Sequence, residues 1–235
     1  MDKRYLVFFA LLACLAGCVP VDSLNPLYTA NNIIFDPALV GKWVSGNPDE
    51  GFLRFDRAAE DSYQMVMVSR NSDSVEEQIY IAHLVSLGGE KFLDVSPREL
   101  DPSAKQYLFR TDPARKGARF EPRLERIGTG FYLEVLGPTP GRGNSQELQL
   151  KLHPVHWMMK VSLTEKTLTL SYLDREWMQE AIKKKLVQAE HVKAKNGNDT
   201  GWVLSGSTAE LQQFIVHHAD DPEAFSSGSA LSKVE

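Results

Sequence analysis

Two rows of alternating apolar residues joined by a tight turn constrain this chain more than any other feature. Trp157, Met159, Val161 and Leu163 occupy every second position, Glu165-Lys166 reverses the chain, and Leu168, Leu170 and Tyr172 resume the alternation. Successive side chains of a strand point to opposite faces, so such a row has one buried and one wet face. Leu148-Gln149-Leu150-Lys151-Leu152 repeats the pattern. Shorter apolar segments precede it at 40–44, 52–55, 63–68, 79–85, 91–95, 107–110 and 131–136, separated by Gly, Pro, Asn and Asp. Gly88-Gly89 between two of them reads as a hairpin turn. This spacing predicts an antiparallel barrel or sandwich, not a parallel α/β sheet.

Two amphipathic helices are expected late in the chain. Asp174 can cap a helix reaching about Gln188, with Glu176 favourably placed in its first turn. Ser207-Thr208-Ala209-Glu210 is a capping box, followed by Leu211, Phe214, Ile215 and His218 at i, i+3, i+4 and i+7. Trp202-Val203-Leu204 between them is expected to be a closing strand. From Ser226 the chain is Ser/Gly-rich and is expected to be a disordered tail over 226–235.

The N-terminus carries Lys3 and Arg4, an apolar run from Leu6 to Leu15, and Ala16-Gly17 before Cys18. That is the order of a secretory signal, and the run is about half of the roughly 20 residues needed to span a bilayer. Leu15-Ala16-Gly17-Cys18 resembles the lipobox of bacterial lipoproteins. The resemblance implies cleavage after residue 17, with Cys18 as the lipid-attachment residue. Several acyl chains make a durable anchor where one does not. Val19, not Asp, follows the cysteine, which in that family's sorting rule implies the outer membrane, facing the periplasm. The expected organisation is then a signal peptide at 1–17, a tether at 18–34 and a barrel domain with C-terminal helices at 35–225. Within the tether Asn25-Pro26-Leu27-Tyr28 is apolar enough to dock on the body. Cys14 leaves with the signal and Cys18 carries lipid, so no disulfide remains to support the fold. Losing Asp2, Lys3 and Arg4 moves the formal charge from −5 to −6. A mildly acidic body argues against nucleic acid as a partner.

Gly41-Lys42-Trp43 ahead of a run of antiparallel strands resembles the Gly-x-Trp opening of lipocalins. That resemblance implies a lipocalin-like eight-stranded barrel with Trp43 plugging its closed end and an amphipathic helix outside. The lipobox, Asn25-Pro26-Leu27-Tyr28, Phe35-Asp36-Pro37 and Leu173-Asp174-Arg175-Glu176-Trp177 together resemble a group of uncharacterised bacterial lipoproteins, which implies no activity.

Candidate chemistry is sparse. His153-Pro154-Val155-His156 is the nearest approach to a metal motif, but residues three apart on a strand face opposite sides and no further ligands complete a set. His217-His218-Ala219-Asp220-Asp221 reads as a helix end followed by a turn. The glycine-rich 137–144 stretch lacks the Gly-Lys-Ser/Thr ending of a phosphate loop, and reads as a mobile connection that could rim a barrel mouth. Lys183-Lys184-Lys185, flanked by glutamates, reads as a solvated face. Asn198-Asp199-Thr200 matches a glycosylation acceptor by chance in a bacterial context. No Gly-x-Ser-x-Gly elbow appears, which weakens a hydrolase or other enzyme to a second rival reading; no catalytic residue, metal or cofactor is assigned. An eight-stranded barrel has room for one small apolar ligand, which makes binding or carriage of a hydrophobic small molecule the leading expectation. The alternative is a structural or envelope-assembly lipoprotein that docks a protein partner.

Overall fold

The computed structural model describes residues 21–70, 74–97, 123–127, 130–138, 148–194, 200–226 and 228–234. Cys18 and the signal segment lie outside them, as do residues 107–110, 139–147 and 198–199. Two short strands come first, β1 (Asp22–Ser23) and β2 (Ile33–Ile34), then a 3-10 helix (Pro37–Leu39). The main series follows: β3 (Gly41–Val44), β4 (Gly51–Arg57), β5 (Tyr63–Arg70), β6 (Val75–Leu87) and β7 (Glu90–Pro97). Next are β8 (Arg123–Ile127), β9 (Gly130–Pro138), β10 (Leu148–Pro154), β11 (His156–Leu163) and β12 (Thr167–Tyr172). Helix α1 (Arg175–Lys183), β13 (Ala189–Ala194), β14 (Thr200–Leu204), α2 (Thr208–His218) and β15 (Ser229–Val234) complete the order.

Eight of these strands close a barrel, and their order around it is their order in the chain. β3 pairs with β4, β4 with β5, β5 with β6 and β6 with β7, all antiparallel. β7 pairs with β11, β11 with β12, β12 with β15, and β15 returns to β3. The expected antiparallel barrel with two late helices is therefore the observed class, but its membership differs from the sequence reading. Segments 131–136, 148–152 and 202–204 belong to strands outside the barrel. They lie in a sheet running β10, β9, β8, β13, β14, which reaches the barrel where β1 pairs with β11.

The supposedly disordered tail supplies the closing strand. Ser232 sits opposite both Thr167 and Val44, so β15 is hydrogen-bonded on both edges and needs little side-chain drive of its own. Its one large apolar anchor, Leu231, enters the core. A Cβ at Gly228 would collide with the Leu170 carbonyl oxygen, so the glycine that looks like flexibility permits close backbone approach.

The barrel interior holds a buried apolar cluster among the described residues. Trp43, Phe55, Met65, Tyr80, Leu93, Trp157, Met159, Leu168 and Leu231 draw on all eight strands and form one buried cluster with their neighbours. Tyr80 packs on Trp157 with ring centroids 5.0 Å apart. At one end the 3-10 helix lies over the core. Leu39 is buried there, and the fully buried Trp43 donates its indole N–H to the Leu39 carbonyl at 2.8 Å. Lys233 Nζ reaches the Ala38 carbonyl, Lys91 Nζ pairs with Asp36, and the Tyr63 hydroxyl accepts from the Asp36 amide. The Lys91 ammonium, and the Ala38 amide, hold the Asp36 carboxyl below its ordinary range. The connections from β7 to β11 and from β12 to β15 both leave the barrel at the opposite end.

A second core lies outside the barrel. Phe92 on β7 and Met158 on β11 alternate with inward neighbours and pack beneath Met178 and Ala181 of α1 and Leu211, Phe214 and Ile215 of α2. These two strands therefore bury both faces, each large side chain contributing about 1.5–3 kcal/mol. Asp174 caps α1 by accepting from the Trp177 amide, as expected, but the helix ends earlier than Gln188. Lys185 takes φ +57°, its amide bonds to the Ile182 carbonyl, and the Leu186 amide bonds back to Ala181. That is a Schellman stop built on lysine instead of glycine, which left no signal in the sequence. The capping box of α2 forms as read, and Ser207→Ala is expected to cost about 1 kcal/mol in urea unfolding. In the β6–β7 hairpin Gly88 and Gly89 have φ +61° and +89°, as a type I′ turn demands. A Cβ on Gly88 would also press on Val216 of α2 at 2.9 Å. Gly88→Ala should lower stability by about 1–2 kcal/mol in the same measurement.

Candidate functional site

Residues 21–34 are not a free spacer but a strap across the outside of the barrel. β1 pairs with the start of β11, beside the stretch that β12 covers. β2 pairs with β6 beyond the stretch covered by β5. The chain between them crosses the outer faces of β11, β7 and β6. Helix α2 holds it from above: Thr208 Oγ1 donates to the Pro26 carbonyl and Gln212 Nε2 to the Leu27 carbonyl, each at 2.8 Å. Asn25 Nδ2 donates to the Gly206 carbonyl, and Leu27 is fully buried. Docking of Asn25-Pro26-Leu27-Tyr28, read from its apolar character, is what the strap does.

Two buried carboxyl groups tie this strap to the barrel, one from the wall beneath it and one from the strap itself. Asp94 projects outward from β7 and is wholly inaccessible. Its Oδ2 accepts the Leu27 amide at 2.6 Å and its Oδ1 lies 2.7 Å from His156 Nδ1 on β11. Tyr28 covers the pair, its ring 4.0 Å from that of His83 and edge-on to His156 at 6.3 Å. Burial pushes the His83 imidazole down and the Tyr28 phenol up. Buried His83 Nδ1 has no hydrogen-bond partner among the described residues. The second carboxyl, Asp22, sits opposite Trp157 across the β1–β11 pair, so both point to the barrel side of the sheet. Its Oδ1 accepts the Trp157 indole N–H at 2.9 Å, and burial raises its pKa to about 7.

The other sequence candidates fall elsewhere. His156 joins Asp94, whereas β10, which carries His153, pairs with β9 and not with β7. His218 packs edge-on against Trp177, whose indole donates to Asp221. Lys183 pairs with Glu180 on the exposed face of α1. The glycine-rich stretch begins at the end of β9, which belongs to the outer sheet and not to the barrel rim. Among the described residues no group of three or more His, Cys, Asp or Glu is arranged to hold a metal, and no helix is long and apolar enough to cross a membrane.

Asp94 and Asp22 went unread in the sequence. The signal for Asp94 is its setting, Phe92-Leu93-Asp94-Val95: an outward carboxylate on a strand whose outward neighbour Phe92 is apolar points to a covered outer face.

Chemically the arrangement is a clasp: buried carboxyls join a backbone strap to the barrel wall. Outside it, Leu87, Ala209, Gln212, Gln213, Val216 and His217 line an open groove of about 450 Å³ between α2 and the β6–β7 hairpin. No protein-family model matches the chain, and neither does any curated protein or solved structure.

Proposed function

We propose that this chain is a lipid-anchored envelope lipoprotein with a lipocalin-like barrel, held through Cys18 at the outer membrane and facing the periplasm, whose body docks a protein partner. The observation that supports the docking reading is the large buried cluster of aromatic and aliphatic side chains inside the barrel. Trp43, Phe55, Tyr63, Tyr80 and Trp157 belong to one buried cluster within the barrel. A close-packed core has no room for a guest without rearrangement. The two late helices cover one outer wall and leave Val216, at 40 % exposure, and the groove beside it open. In-membrane crosslinking from a photoreactive residue at Gln213 should give one reproducible protein adduct. Uniform labelling of lipid with no protein adduct would count against the reading.

A second reading keeps a hydrophobic small molecule as ligand but moves it outside the barrel. Its support is the same groove, with Leu87, Ala209 and Val216 as its apolar part. Val216→Glu separates the two: it should abolish small-molecule uptake there, while the adduct made by a macromolecular partner would shift or weaken.

A further inference from the structure

The lysine run at 183–185 does not wind along one face of α1, because the helix ends inside it. Lys183 is the last helical residue, Lys184 caps the helix, and Lys185 turns the chain at φ +57°. The turn is held on both arms. The Leu186 amide bonds to the Ala181 carbonyl at 3.0 Å, and beyond the turn the Gln188 carbonyl accepts the Ser205 amide at 3.0 Å. Ile182 and Val187 pack against the outer core, whereas Leu186 is 52 % exposed and all three lysines face water. The left-handed position after a helix favours glycine, so a lysine there carries backbone strain that packing does not explain. The neighbouring acids are already engaged: Glu180 pairs with Lys183 at 2.6 Å, and Glu210 accepts from Ser207 and from Gln188. Lys184 and Lys185 have no ion-pair partner among the described residues.

We propose that the turn at 183–186 is a contact surface for a bilayer bearing anionic phospholipids, with Leu186 at the boundary of headgroups and acyl chains and Lys184 and Lys185 on lipid phosphates. An exposed leucine alone is ordinary, and so is a solvated lysine run. A leucine that follows three ammonium groups on a fixed turn is the pairing an anionic bilayer surface takes up. The apolar side chain enters the boundary, and the lysine stems lie along it while their heads stay among the phosphates. A strongly acidic protein would account for the lysines and leave the leucine in water. The whole chain has a formal charge of −5, so attraction to anionic lipid is confined to a local patch such as this one. One leucine and its lysines orient a body on a surface more than they hold it there. The contact needs no lipid on Cys18 and stands apart from the anchor.

The test uses the full-length chain with the environment-sensitive amino acid Anap in place of Leu186, mixed with phosphatidylcholine vesicles that contain or lack phosphatidylglycerol. The readout is local to the turn, whether or not Cys18 holds the chain on the vesicle. The expected result is a blue shift on the phosphatidylglycerol vesicles, quenched by lipid brominated high on the acyl chain, and its loss in Lys184→Glu/Lys185→Glu. Lys185→Gly relaxes the backbone, so it should be at least as stable to urea as the unaltered chain and still lose part of the shift. Emission that stays unshifted on both vesicles, or shifts equally in the charge-reversed chain, overturns the surface. A shift produced by soluble polyglutamate and not by vesicles also overturns it, and assigns the turn to an acidic protein instead.

Discussion

Asp94→Ala is expected to destabilise the protein by about 3–5 kcal/mol and to release the N-terminal strap before the barrel unfolds. The carboxylate is fully buried and has two partners, the Leu27 amide and the His156 ring. Removing one acceptor strands two buried donors, each costing about 1–3 kcal/mol, and leaves a void where the side chain stood. The effect should be ordered in space. Hydrogen exchange at Leu27 and its neighbours should rise most, with the amides of β3, β4 and β5 still protected. Asp94→Asn keeps one acceptor oxygen and should recover part of the loss. A uniform rise in exchange, or a loss under 1 kcal/mol, would contradict the role given to the clasp.

Asp22→Asn has the opposite sign and depends on pH. The folded chain holds this carboxyl near a pKa of about 7, against an ordinary 3.8, because burial disfavours its charge. Below about pH 4 both folded and unfolded chains are protonated and Asp22 contributes no difference. Between about pH 4 and 7 the unfolded chain has released its proton and the folded one has not, so stability falls as pH rises. Above about 7 both are ionised and the full penalty remains, about 4 kcal/mol from a shift of some three units at 1.36 kcal/mol each. Asparagine still offers an oxygen to the Trp157 indole, but it also buries amide hydrogens. The net gain at pH 8 should be about 2 kcal/mol, vanishing near pH 4. Paired urea titrations at the two pH values check this. Equal stabilities at pH 8 would remove Asp22 as a burial penalty.

The two carboxyls show where the sequence could and could not be read. Period-two rows such as Trp157, Met159, Val161 revealed strands and the buried face, because alternation is a local property. Barrel membership was not local. Leu148 to Leu152 alternates more cleanly than Ser229 to Val234, yet the first lies off the barrel and the second closes it, because β15 is formed by the edges of β12 and β3 on either side. The capping box of α2 was legible since both partners lie within four residues. The Lys185 stop was not, since a lysine in the left-handed region follows no residue preference. The strap was half legible. Leu27 and Tyr28 are too apolar for a spacer, but Asp94 lies 67 residues away and nothing in its segment names Leu27 as partner.

The central claim, a barrel occupied by its own side chains that acts through its outside, is tested most directly by native mass spectrometry of the delipidated body with a lipophilic probe such as N-phenyl-1-naphthylamine. The account predicts the bare mass at probe concentrations that saturate a carrier, or a weak adduct abolished by Val216→Glu. A one-to-one complex that survives Val216→Glu and quenches Trp157 would place the probe inside the barrel and contradict it.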